Sequence, residues 1–187
     1  MAHPVVLVDQ DGPLADYRAA ILAALESIGE NPSHLQKKTY STRADVQAAY
    51  GNRVADEIDR IRNMSGFYEH LEVVEGANEG IKRLLDLGAV PFVCSRPRLQ
   101  NRTCSSEKLA WLGTHFPEFE GRFVLTTDKT VVSGHILIDD DYSVTGITTP
   151  NWKHVYFGNP AEFTGTFVAA IQSWSEVSRI TGLFELL

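Results

Sequence analysis

Apolar positions along this chain fall in short unbroken runs, and three of the runs end the same way. Val5-Val6-Leu7-Val8 precedes Asp9, Val90-Pro91-Phe92-Val93-Cys94 precedes Ser95, and Ile136-Leu137-Ile138 precedes Asp139. Continuous rather than alternating apolar runs are expected of strands covered on both faces, hence of a parallel sheet with helices on either side. Phe123-Val124-Leu125 and His154-Val155-Tyr156-Phe157 are weaker candidates for two more strands. Between the runs the spacing turns helical. Ile81, Leu84 and Leu85 lead to Gly88, and Leu109, Leu112 and Phe116 follow Ser105 and Ser106, which are expected to cap that helix. Phe167, Ile171 and Trp174 predict a last helix packed on the outside of the sheet. Strands alternating with helices define a doubly wound α/β fold.

The stretch after Asp11 is far longer than a strand-to-helix crossover needs, and it holds two helical patterns. One is Ile21, Leu22, Leu25 and Ile28, ending at Gly29; the other is Val46, Tyr50, Val54, Ile58 and Ile61. The expected organisation is an α/β core over residues 1–15 and 76–187, with a small helical cap over 16–75 inserted after the first strand.

Composition narrows the functional classes. With 187 residues, 43% hydrophobic and 22% charged, the chain suits one globular domain with an insertion. No apolar run approaches the length of a membrane span. The formal charge of -7 disfavours polynucleotide binding, which needs a basic surface, but allows a small phosphorylated substrate in a locally cationic pocket. Met1-Ala2-His3-Pro4 runs directly into the first strand without a leader pattern, and Cys94 and Cys104 have no metal-type spacing, so a reducing, cytoplasmic setting is expected.

In open α/β sheets ligands bind beyond the carboxyl ends of the strands, and here those ends carry Asp9, Asp11, Ser95, Asp139 and Asp140, with Lys129 just before the third run. Four converging carboxylates repel one another and any phosphate unless a hard divalent cation lies among them. Mg²⁺ suits an all-oxygen set, whereas zinc would want His or Cys. An i, i+2 relation is expected to bring the Asp9 and Asp11 side chains together. Asp9 could then attack phosphorus while Asp11 serves as acid and then base, Ser95 and Lys129 hold the phosphoryl oxygens, and Asp139 and Asp140 complete the metal site. Asp-x-Asp alone is often only a solvated turn; the ordered partners give it chemical meaning.

With these residues in order, the chain resembles the haloacid dehalogenase superfamily of aspartate-nucleophile phosphatases. More narrowly, Asp9-Gln10-Asp11-Gly12-Pro13-Leu14-Ala15-Asp16-Tyr17, Phe67-Tyr68, Glu107-Lys108, Thr127-Asp128-Lys129-Thr130, Leu137-Ile138-Asp139-Asp140 and Trp152-Lys153-His154-Val155 resemble the 5'(3')-deoxyribonucleotidases. The resemblance implies that Asp9 is nucleophile and Mg²⁺ ligand, and that Asp11 is acid/base and offers its backbone carbonyl to the metal. It further implies Asp140 as a metal ligand with Asp139 beside it, Ser95 and Lys129 as phosphate contacts with Lys108 in support, and the aromatic residues Tyr17, Tyr40, Phe67 and Tyr68 as holders of the nucleobase. Ser95-Arg96-Pro97 departs from the usual Thr-Ser-Pro, which adds Arg96 as a further phosphate donor, and Gln10 and Pro13 replace apolar residues. The expected substrate is a small deoxyribonucleoside or ribonucleoside monophosphate, and the expected state a monomer or homodimer. A phosphatase of sugar phosphates, a phosphorylated receiver-like sensing module and a halide-removing enzyme are the alternatives. Asp11 and the inserted segment speak against the receiver-like module, and Asp11 and the magnesium cluster against halide removal.

Overall fold

The computed structural model describes residues 3–31, 43–162, 165 and 167–183. The chain forms two compact units, one of Met1–Ala15, Val73–Pro97 and Leu112–Leu187, the other of Asp16–Glu72 and Arg98–Trp111.

In the first unit six parallel strands form one sheet. They are β1 (Val5–Val8), β2 (Val90–Ser95), β3 (Phe123–Leu125), β4 (Ile136–Asp139), β5 (Lys153–Phe157) and β6 (Ala169–Ile171). Their order, β3-β2-β1-β4-β5-β6, is that of a doubly wound sheet. β1 is central: Val8 lies level with Val93 of β2 and Ile138 of β4. Val6, Leu7, Val8, Val93, Leu137 and Ile138 are essentially inaccessible, which is why these runs read as unbroken apolar. Helix α3 (Ala77–Asp86) buries Ala77, Gly80, Ile81 and Leu84. Trp174 is buried, and its indole N–H donates to the Pro13 carbonyl at 2.6 Å, tying the C-terminal segment to the turn after β1.

The second unit is built on α1 (Tyr17–Ser27) and α2 (Arg43–Arg62), the latter breaking at Gly51 (φ 81°, ψ 174°). Asp16 caps α1 by accepting the Ala19 N–H at 2.8 Å. Ile21, Leu25, Val46, Val54, Ala55 and Ile58 form its core, with Tyr17 and Phe67 packed against it. Residues 98–111 join it through polar contacts: Arg98 donates to Asp59 at 2.9 Å, and the Asn101 amide donates to the Met64 carbonyl at 3.1 Å. None of these partners follows a sequence period, which is why the expected inserted segment did not extend to them.

Three local expectations are corrected. Phe167, Ile171 and Trp174 do not share a helix: Ala169–Ile171 pairs with β5 as strand β6, and a 3₁₀ segment starts at Trp174. Three apolar residues at helical spacing are compatible with a short strand followed by a turn, because so short a strand shows no period of its own. The helix after residue 100, α4, spans Cys104–His115, so Ser105 and Ser106 lie inside its first turn rather than at its cap. Its buried stripe is Cys104, Glu107, Lys108, Trp111 and Leu112, at i, i+3, i+4, i+7 and i+8, whereas Leu109 is 54% exposed. The stripe is helical as expected but includes a Glu and a Lys. Among the described residues no helix is long and apolar enough to cross a membrane.

Candidate active site

Asp9 follows β1 directly, and its N–H donates to the Ile138 carbonyl at 2.9 Å, so the end of β1 is held against the end of β4. This is the point where the strand order reverses direction, the crevice in which doubly wound sheets bind ligands. Asp139 is the last residue of β4 and Asp140 follows it. Carboxylate oxygens of Asp9, Asp139 and Asp140 lie within 4.8 Å of one another.

Lys129 sits among them. It opens a 3₁₀ turn, Lys129–Val131, and is buried, with Nζ 2.6 Å from Asp139 Oδ2 and 2.9 Å from Asp9 Oδ2. Burial alone would strip its proton, but the Asp139 and Asp9 carboxylates outweigh burial and raise its pKa above the ordinary lysine value. Asp139 is wholly buried; burial first, and then the neighbouring Asp9, Asp141 and Asp140, push its pKa up, while Lys129 pulls it down. Its Oδ1 also accepts the Asp141 N–H at 2.8 Å. Three carboxylates thus face one ammonium, an excess of negative charge that a hard divalent cation offsets. The donor set is oxygen only, and it fits such an ion.

Asp11 lies beyond the strand, on the turn that leaves β1. β1 ends at Val8, so the alternation of strand side chains does not extend to Asp11. The chain turns instead: Ala15 N–H donates to Gln10 O at 2.7 Å, Gly12 N–H to Ala15 O at 2.8 Å, and Asp11 bridges to Ala15. The Asp11 carboxylate is not one of the three that cluster. Gly12 lies on this turn at φ +100°, and a Cβ there would fall 2.2 Å from Asp140 Cγ. Gly12→Ala therefore displaces Asp140 and strains the backbone. The divalent-cation concentration that half-stabilises the protein in a thermal titration should rise roughly 10-fold or more.

Ser95, the last residue of β2, is buried at the same end of the sheet. Arg96 next to it is exposed, and its guanidinium lies 3.9 Å from the Asp141 carboxylate, a loose ion pair. Cys94 is a core residue whose thiol burial pushes up to about 12, which leaves it inert.

In the second unit Tyr17, Phe67 and Tyr68 form one aromatic cluster. Tyr17 meets the Phe67 ring edge-on at 5.8 Å and stacks near Tyr68 at 6.4 Å, and Phe67 and Tyr68 are edge-to-face at 5.0 Å. Lys108, which solvation would be expected to claim, is fully buried, with Nζ 5.2 Å from the centre of the Tyr68 ring. Tyr40 lies outside the described residues.

Two residues that the sequence reading left without a role organise these sites. Asp128 accepts from Thr130 N–H at 2.9 Å, Thr130 Oγ1 at 2.6 Å and Ile147 N–H at 2.8 Å, so one carboxylate joins the Lys129 turn to the loop that follows Asp140. Its hydrogen bonds from Thr130 and Ile147 hold it below the usual carboxylate range. Glu107 accepts from Gly66 N–H at 2.6 Å and Tyr68 N–H at 3.1 Å. A capping Asp before a helical turn is a legible signal for the first; for the second the only signal was its place beside Lys108.

A parallel sheet of this order with acidic strand ends is the fold of haloacid dehalogenase-like hydrolases. Solved structures agree at the level of fold, among them a HAD family hydrolase from Deinococcus radiodurans R1, with bound phosphate and sodium, at a TM-score of 0.64 and 16% identity over 97% of each chain. Curated relatives include the human cytosolic-type 5'(3')-deoxyribonucleotidase, 36% identical over 164 residues (84% of this chain and 81% of that protein). The human mitochondrial 5'(3')-deoxyribonucleotidase is 34% identical over 163 residues, 81% of this chain and 69% of that protein. Residues 3–184 match the family described as 5' nucleotidase, deoxy (Pyrimidine), cytosolic type C, and the chain belongs to that family. It is a phosphoric monoester hydrolase of the 5'-nucleotidase type, with a small-molecule substrate.

Proposed function

We propose that the chain hydrolyses deoxyribonucleoside monophosphates through an aspartyl-phosphate on Asp9, with Mg²⁺ as cofactor. The observation that carries the reading is the convergence of Asp9, Asp139 and Asp140 around the buried Lys129 ammonium at the switch point of the sheet. An Asp9 carboxylate oxygen attacks phosphorus, and the bond to the leaving oxygen breaks as Asp11 donates its proton to that oxygen. Asp11, now ionised, takes a proton from a water molecule. The water oxygen attacks phosphorus, the bond to Asp9 breaks, and inorganic phosphate leaves. Lys129, Ser95 and Arg96, supported by Lys108, hold the phosphoryl oxygens, and Lys129 offsets the charge that builds on them.

Asp9 and Asp140, with the Asp11 carbonyl and Asp139 beside them, would hold the metal. Bound there, Mg²⁺ neutralises the carboxylates and polarises the phosphoryl group. Asp139 has one oxygen on Lys129 and the other on the Asp141 N–H, which suits it to fixing the lysine as well. The Tyr17, Phe67 and Tyr68 rings take the nucleobase by stacking, an interaction that tolerates several bases. The oxygen-rich donor set and the names of the relatives support the reading, and a cytoplasmic setting accords with the cytosolic-type relative.

Phosphate release from a panel of nucleoside monophosphates and sugar phosphates, with and without chelator, tests it. Deoxyribonucleotides should be the preferred substrates, and chelation should remove activity that added Mg²⁺ restores. Activity that persists in chelator, or a preference for sugar phosphates over every nucleotide, sinks the reading.

A further inference from the structure

A carboxylate that is 4% exposed must be matched by donors, because burying its charge is costly. Glu107 is matched almost entirely by one short segment. Oε1 accepts from Gly66 N–H at 2.6 Å and Oε2 from Tyr68 N–H at 3.1 Å, so the two oxygens grip the amides on either side of Phe67. The Thr103 hydroxyl, one turn earlier on the chain, donates to Oε1 as well. Burial works against the charge, but hydrogen bonds from Thr103, Gly66, Tyr68 and Ser65 outweigh it and keep the carboxyl below its ordinary range.

A two-oxygen clamp on the amides of residues i and i+2 fixes the backbone torsions of the residue between them, and with them the direction of its side chain. Here that residue is Phe67, whose ring lies edge-on to both Tyr17 and Tyr68. The next residue on α4, Lys108, places its ammonium 5.2 Å from the Tyr68 ring centre. Glu107 thus sets the backbone, and Lys108 the ring, of the same aromatic pair.

We infer that Glu107 is a positioning residue for nucleobase recognition: it holds Phe67 and Tyr68 in the arrangement that accepts a base, and so contributes to selectivity for nucleotides over phosphomonoesters without a base. The inference rests on the proposed role of Tyr17, Phe67 and Tyr68. Glu107→Gln keeps the size but turns one acceptor into a donor facing an N–H. Steady-state kinetics at saturating Mg²⁺ on deoxyuridine 5'-monophosphate and on 2-deoxyribose 5-phosphate test it. The variant should raise KM for the nucleotide about 10-fold, the scale of one lost stacking contact, with kcat and the constants for the sugar phosphate unchanged.

Equal losses on both substrates, or an unchanged nucleotide KM, overturn the inference while leaving the proposed function standing. A wild-type enzyme that favours the sugar phosphate overturns both. Should Glu107→Gln fail to fold, Thr103→Val removes a single donor to the same carboxylate and must show the same split to a smaller degree; its absence there overturns the inference too.

Discussion

With Asp9 as the proposed nucleophile, Asp9→Asn should remove turnover, by on the order of 10⁴-fold or more, while the protein stays folded. The amide has nearly the volume of the carboxylate, and its oxygen can still accept the Gln10 N–H that Asp9 Oδ1 accepts at 2.8 Å. What it lacks is the anionic oxygen able to attack phosphorus. Lys129 loses one partner at 2.9 Å but keeps Asp139 at 2.6 Å, so its ammonium remains paired. Removing one of three clustered carboxylates also relieves like-charge repulsion, which offsets part of the lost ion pair. The net change in unfolding free energy should therefore stay within about 1 kcal/mol. Phosphate release, acid-trapped phosphoenzyme by intact mass, and a urea midpoint check the three parts. Hydrolysis within about tenfold of wild type would rule out the covalent mechanism.

What could be read in advance divides along a physical line. The runs that form β1 and β4 are the most legible because burial on both faces favours apolar residues at neighbouring positions together, whereas β3, half-buried throughout, is a weaker signal. Asp9, Asp139 and Ser95 are legible for the complementary reason: each breaks an apolar run at the carboxyl end of a strand, where only chemistry or solvent explains a polar group. β6 escaped because three residues show no period, and its neighbour Trp174 supplied a false helical one. The end of β1 at Val8 is not legible in the same way, because it is set by the turn's hydrogen bonds to Gln10 and Ala15 and not by composition. Asp128 and Glu107 bind amides 19 and 41 residues away, and no local pattern encodes such partners. Lys108 shows the same limit: a lysine on a helix reads as solvated until the ring beneath it is known.

Lys129→Met tests the electrostatics that make the site work, and its effect depends on pH and metal in a way that simple loss of packing would not. Met fills much of the aliphatic volume, so the main loss is the ammonium between Asp9 and Asp139. Breaking a buried ion pair by deleting one partner leaves uncompensated charge, at a cost of roughly 3–5 kcal/mol. In the metal-free wild-type protein Asp139 is already raised to about 7, by burial ahead of its acidic neighbours and against the pull of Lys129. A carboxyl whose folded pKa is raised binds more protons folded than unfolded, so its contribution to stability is present at low pH and is lost as pH rises toward that pKa. Without Lys129 the pKa climbs further and the loss deepens. The metal-free variant should thus be nearest to wild type at about pH 5, where the carboxyls can protonate, and furthest from it above about pH 7. Mg²⁺ should recover much of the difference at neutral pH by supplying the missing positive charge, while turnover stays reduced by roughly 10²–10³-fold with the loss of the proposed donor to the phosphoryl oxygens. Urea unfolding at these two pH values, with and without Mg²⁺, measures the pattern; a destabilisation that is equal at both and indifferent to the metal would assign Lys129 to packing alone.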